Sequence, residues 1–144
     1  MAPWQLLKSR EEQRRDQHAQ VVHSHAQEVE KLKETLARIE AILADYVSRL
    51  AEIQRAPHQM ADIRMYQESI RQMRAVERQA RFRMARAEGD LIGLRRELTQ
   101  LELSCRKYTK LWERELEIQR VSEDQQETRE LDEMATQGHC RRTR

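Results

Sequence analysis

Glycine occurs three times, proline twice, cysteine twice and phenylalanine once in 144 residues. So few chain breakers exclude a loop-rich or all-β fold, which needs turn residues at short, regular intervals. Cys105 and Cys140 are too few and too far apart for a disulfide framework or a paired-cysteine metal site, and they fit a reducing compartment. No apolar run approaches the roughly 20 residues that cross a bilayer, and Met1 to Lys8 lacks the order of a secretion signal. The expectation is a cytoplasmic protein that does not insert in a membrane.

Catalytic and ligand motifs are missing as well. The chain has no phosphate-binding loop, no dinucleotide fingerprint, no His-Glu-x-x-His and no nucleophile elbow. His23 and His25 are two apart and point to different helix faces, while His18 and His25 share a face but are seven apart, too distant to chelate together. A non-enzyme without cofactor or metal is expected. Nucleic acid is not an expected partner, because the arginine-rich stretch lacks interleaved aromatics and a zipper fork.

What is present is charge and helix formers. Charged residues make up 36% of the chain, apolar residues 38%, and the mean hydropathy is −0.97. Glu, Gln, Arg, Ala and Leu dominate, so the apolar residues have to form a narrow seam on long helices rather than one compact core. From Pro3 to Gln54 nothing interrupts a helix, and Pro3 suits a first turn. Pro57 then disfavours helical geometry at Ala56 and removes a backbone donor. These features predict an all-α chain with helix 3–54, a short loop at 55–61 and helix 62–136. Asp62 is the N-terminal acid of the second helix and Gly138 its stop. A single hairpin domain, 1–138, is followed by a disordered basic tail, 139–144.

Heptad spacing turns the two helices into an antiparallel coiled coil. Val29, Leu32, Leu36, Ile39, Leu43, Tyr46, Leu50 and Ile53 follow alternating steps of three and four, and all are apolar. The second helix continues from Ile63, Tyr66, Ile70 and Met73 to Cys105, Tyr108 and Trp112, with Glu77 its one charged member. That seam spans roughly 75 Å at about 1.5 Å per residue. Folding back at Pro57 sets Ile53 opposite Ile63, and each further layer joins residues whose numbers add to about 116.

Carried outward, this register sets Leu91, Leu94, Leu98 and Leu101 against His25, Val22, His18 and Arg15. Four half-covered leucines would forfeit about 1 kcal/mol or more each relative to full burial, which reads as a partner patch. The competing reading is that long polar stems lie over them. Beside the patch stand Gly89 and Gly93, which weaken the helix and permit close approach. At the end carrying the termini, the register puts Trp4 beside Trp112, with Leu7, Tyr108 and Leu111 completing an apolar clasp. Fraying of the first residues is the alternative.

Charge is polarised although the total is only +2. Arg64 to Arg96 holds nine arginines against four acids, and Glu113 to Glu133 holds nine acids against three arginines. Either these are solvated faces with local ion pairs, or they steer oppositely charged partners.

The strings Leu43-Ala44-Asp45-Tyr46, Ile63 to Met73 (IRMYQESIRQM), Lys107 to Glu115 (KYTKLWERE) and Glu130 to Ala135 (ELDEMA), in a chain of this size with its break at this place, resemble the FliJ/SctO (YscO, InvI) stalk proteins of type III secretion. The Lys107–Trp112 stretch leans towards the injectisome member over its flagellar counterpart. Such proteins are similar to the coiled-coil shaft of the rotary ATP synthase gamma subunit. The resemblance implies a monomeric central stalk whose terminal end enters the pore of the hexameric secretion ATPase. It implies a link from that ring to the export gate protein, so that the stalk is peripheral to the inner membrane through its partners. Some members also bind secretion chaperones. The family's gate-contacting face carries over to Tyr66, Ser69, Met73, Val76 and Ala80, with Ser69 standing where a large aromatic is often found. Tyr66, Met73 and Ala80 are also seam positions, so burial is a competing role for them. Trp4, Leu7, Tyr108, Leu111 and Trp112 would then be either the clasp or the pore end. The alternative to the stalk is a generic scaffolding coiled coil.

Overall fold

A computed structural model describes residues 3–55 and 60–142, and all of them are helical. Helix α1 spans Pro3–Arg55 and helix α2 spans Met60–Arg142. The all-α expectation holds, and no strand occurs among the described residues. The turn expected at Pro57 and the last two residues of the expected tail lie outside the described residues. Arg55, Met60 and Ala61, placed in the loop from sequence, belong to the helices. Pro3 opens α1 and Asp62 stands in the first turn of α2, where a carboxylate meets the positive end of the helix dipole.

The second helix does not stop at Gly138. It runs on through His139, Cys140 and Arg141 to Arg142, and none of the glycines has a positive φ. A glycine ends a helix when it takes up the left-handed cap geometry. Held in right-handed geometry, it weakens the helix without breaking it. Arg141 and Arg142 in the last turn also complement the negative end of the dipole.

The chain divides into two compact units, residues 17–99 and residues 1–16 with 100–144. Contacts along a narrow seam are local, each layer touching only its neighbours, so no single centre gathers them. Within the unit of residues 17–99 the helices run antiparallel, since Lys33 meets Glu88, Glu40 meets Arg81 and Tyr46 meets Tyr66. These pairs bracket the register inferred from the heptads. Every seam position named above, from Val29 to Ile53 on α1 and from Ile63 to Trp112 on α2, is buried or half-buried.

Among the described residues only Val29, Leu36, Ile70, Leu91 and Cys105 are buried, and no side chain there is completely enclosed. A seam residue between two helices is covered from one side only, so half-burial is what the architecture permits. In the seam near Leu91 the sequence register is off by one position on α1. Ala26 is half-buried and His25 exposed, so the smaller apolar neighbour turns inward in place of the imidazole.

Candidate partner-binding surfaces

The beginning of α2 presents the face that resemblance assigns to the export gate. Tyr66, Ser69, Met73 and Ala80 are half-buried and Val76 is exposed. The Tyr66 ring meets Tyr46 edge-on at 6.3 Å between centroids and 73° between planes. The Tyr66 hydroxyl also lies beside the Arg49 side chain and, together with the Asp45 carboxylate 3.1 Å away, holds that guanidinium above its ordinary pKa. Tyr66 is thus engaged with α1, whereas Val76 and the exposed Met65 have no such engagement to break. Among the assigned residues, Val76 offers the most surface.

The four leucines of the expected patch are placed unequally. Leu91 is 6% exposed and among the most buried residues of the protein, so it is not a half-covered leucine awaiting a partner. Leu94 and Leu98, in the same unit, are half-buried, and so is Leu101, which belongs to the terminal unit. The register set Val22 and His18 over this stretch, but the bond that His18 makes there was not legible from periodicity. The His18 ring, half-buried itself, reaches the Leu94 carbonyl at 3.0 Å, with Glu97 Oε2 at 3.4 Å from the same nitrogen. Val22 and Ala26 are half-buried beside it.

In the terminal unit Trp4, Leu7, Tyr108, Leu111 and Trp112 are all half-buried. The ring that meets Trp4 is Tyr108, not Trp112, with centroids 6.3 Å apart and planes inclined by 32°. Tyr108 and Trp112 occupy successive positions on one face of α2, so an indole can reach the nearer layer instead of its formal opposite. Lys107 Nζ lies 5.9 Å from the Tyr108 centroid. One seam step beyond Trp112, Glu115 Oε2 is buried and finds no hydrogen-bond partner among the described residues. A shallow apolar groove lined by Leu103, Leu111, Arg106, Lys107, Lys110 and Arg114 opens in the same unit. Cys105 is buried, and burial pushes its thiol above the usual pKa against the opposing pull of Arg15.

Beyond Glu115 every described residue of α2 is exposed, including Leu116, Ile118, Leu131 and Met134. This acidic stretch supports itself by pairs within the helix. Arg120 joins Glu117 at 2.7 Å and Asp124 at 3.4 Å, which holds the Glu117 carboxyl below its ordinary range. Such spacing-three and spacing-four pairs stabilise a helix whose side chains are exposed. No group of metal-binding side chains occurs among the described residues, and no helix there is long and apolar enough to cross a membrane.

Comparison with protein families matches residues 1–144 to the one described as Flagellar FliJ protein. No curated protein and no solved structure matches the chain significantly. The match covers the family as a whole and does not separate its injectisome branch from its flagellar branch.

Proposed function

The chain belongs to the FliJ family of type III export stalk proteins, and we propose that it serves as the central stalk of such a system. In this reading it has no chemistry of its own. The end carrying the termini enters the pore of the hexameric secretion ATPase, and the beginning of α2 contacts the export gate protein. The injectisome assignment rests on the Lys107–Trp112 stretch, with the flagellar counterpart as the alternative. Export chaperones are further partners, and the site of action is the cytoplasmic side of the inner membrane.

The observation that carries the proposal is a family match over the entire chain. Two features support it. From Leu116 to Arg142 the second helix is exposed throughout, as a segment must be if it is to be enclosed by another protein. Val76 and Met65 supply exposed apolar surface near the start of the same helix, where a gate contact is placed.

The test uses the full chain and the purified secretion ATPase of the same system. Substoichiometric addition should promote hexamer formation and raise ATP hydrolysis. A chain cut back before Leu116 should bind less and stimulate less. No change in assembly or hydrolysis with the full chain would reduce the protein to a passive scaffold.

A further inference from the structure

The outward face of α2 between Ala75 and Arg96 is not needed by the hairpin. Opposite the seam, Phe82, Ala85, Gly89 and Ile92 follow one another at steps of three and four, and all are exposed. Phe82, the only phenylalanine of the protein, is 68% exposed and Ile92 is 53% exposed. An aromatic ring left in water on a helix otherwise rich in charge is an anchor without a pocket. The glycines strengthen the point, because a Cβ built at Gly89 or Gly93 meets nothing within 4 Å. No internal packing accounts for either. What two small positions one turn apart do provide is a flat place where another backbone can come close.

Charge around this strip identifies what fits. Arg78, Arg83, Arg86 and Arg96 are exposed and form no ion pair with any described residue. Arg81, by contrast, is occupied by Glu40 and Glu77. Arg71, Arg49 and Arg120 likewise have carboxylate partners about one turn away. The strip is therefore an apolar line with a small-residue centre, edged by uncompensated guanidinium groups. A guanidinium is made for carboxylates, and a straight strip of helical spacing is made for a helix.

We propose that this face is a docking site for an acidic amphipathic helix of a partner protein, with Phe82 and Ile92 as anchors, Gly89 and Gly93 at the point of closest approach, and Arg78, Arg83, Arg86 and Arg96 meeting its carboxylates. The inference stands on residues 75–96 alone and is independent of the stalk reading. The face lies opposite to the seam.

The glycines make the test discriminating. A helical peptide with a leucine seam flanked by glutamates, labelled at one end, is titrated with the full chain and followed by fluorescence anisotropy. Its lysine-flanked counterpart and a DNA duplex are the controls, and sedimentation of the chain alone monitors self-association. The glutamate peptide should bind and the lysine peptide should not. Phe82→Ala and Arg83→Glu/Arg86→Glu should each weaken binding tenfold or more. Gly89→Ala/Gly93→Ala should weaken it similarly while the melting temperature rises, an outcome that damage to the fold cannot imitate. Absence of binding overturns the proposal, as does equal binding by the variants. Preference for the duplex would assign the face to nucleic acid instead. Self-association lost in Phe82→Ala would assign it to a second copy, and either result overturns the proposal as stated.

Discussion

His18 on α1 donates its Nε2–H across the interface to the backbone carbonyl of Leu94 on α2, at 3.0 Å. A carbonyl can only accept, so the bond requires the tautomer protonated at Nε2, which is also the nitrogen near Glu97. The bond ties the two helices at a level where the seam of α1 is short of large apolar groups. His18→Ala should destabilise the protein by about 0.5–1.5 kcal/mol, the usual net worth of one such bond. His18→Gln, which keeps a donor, should recover part of it. Chemical denaturation of both variants decides the matter, and equal losses would show that the ring acts by packing alone.

Leu36 and Leu131 are both leucines on long helices, yet one is 8% and the other 65% exposed. Leu36→Ala should cost about 2–4 kcal/mol through lost transfer energy and an unfilled space in the seam. Leu131→Ala should change stability by no more than about 0.5 kcal/mol. Leu43 is half-buried and belongs between them. If both substitutions cost the same in denaturant midpoints at constant m value, the heptad assignment of the seam is wrong.

How far the sequence carries can be read from these same residues. The alternation of three and four steps is a consequence of helix geometry, so it located every seam residue from Val29 to Ile53 and from Ile63 to Trp112. The antiparallel register followed from Pro57 in the connector, and the cross-helix pairs agree with it. Periodicity is blind to small rotations of a helix about its axis. It set His25 inward where Ala26 turns in, and it paired Trp4 with Trp112 where Tyr108 is nearer. It is also blind to bonds between a side chain and a backbone carbonyl, so the His18 tie left no signal. The outward face of Phe82 and Ile92 was legible in principle as an apolar step pattern out of phase with the seam. It is concealed because its members are fewer and separated by arginines.

Gly89→Ala and Gly93→Ala should each stabilise the protein. Alanine is favoured over glycine by about 1 kcal/mol in a helix interior, and the added methyl meets open space at both positions. The gain is read as a raised denaturation midpoint in the isolated chain. A loss at either site would reveal a constraint on the backbone that negative φ and open surroundings do not disclose.

The two cysteines differ in a way that pH exposes. Cys140 is exposed and Cys105 buried, with its thiol pKa raised by burial. A thiol-specific reagent under native conditions should modify Cys140 first, and Cys105 only as fast as the helices open locally. The sign of the stability effect follows from linkage. The raised pKa means that the folded state holds its proton where the unfolded state begins to lose it. This contribution is complete below the ordinary thiol pKa and is lost as pH rises through the folded value. Stability in Cys105→Ala should therefore be flatter than in the parent above about pH 8.5, the ordinary thiol value. Equal labelling rates for the two thiols would show that the terminal unit is open.

Trp4 and Tyr108 close the terminal unit with rings 6.3 Å apart. Their surroundings explain why an aromatic pair is used there. Between Lys8 and Gln20 the first helix is almost wholly polar, and the pairs of Lys8 with Glu12 and of Arg14 with Glu11 lie along one helix and do not join it to the other. Two rings supply buried area and a preferred tilted geometry worth about 0.5–1.5 kcal/mol beyond that area. A double-mutant cycle over Trp4→Ala and Tyr108→Ala isolates this term, since each change also removes burial that the other does not share. The expected coupling is about 0.5–1.5 kcal/mol. The same cycle with Trp112→Ala in place of Tyr108→Ala should give a smaller coupling, because Trp4 makes its ring contact with Tyr108. Local opening supplies an independent measurement: Trp4→Ala should speed hydrogen exchange of α1 amides before Asp16 while leaving those around Leu36 protected. A coupling near zero together with unchanged exchange would show that the first turns are held by Leu7 and the helix itself, and that the aromatic contact is incidental.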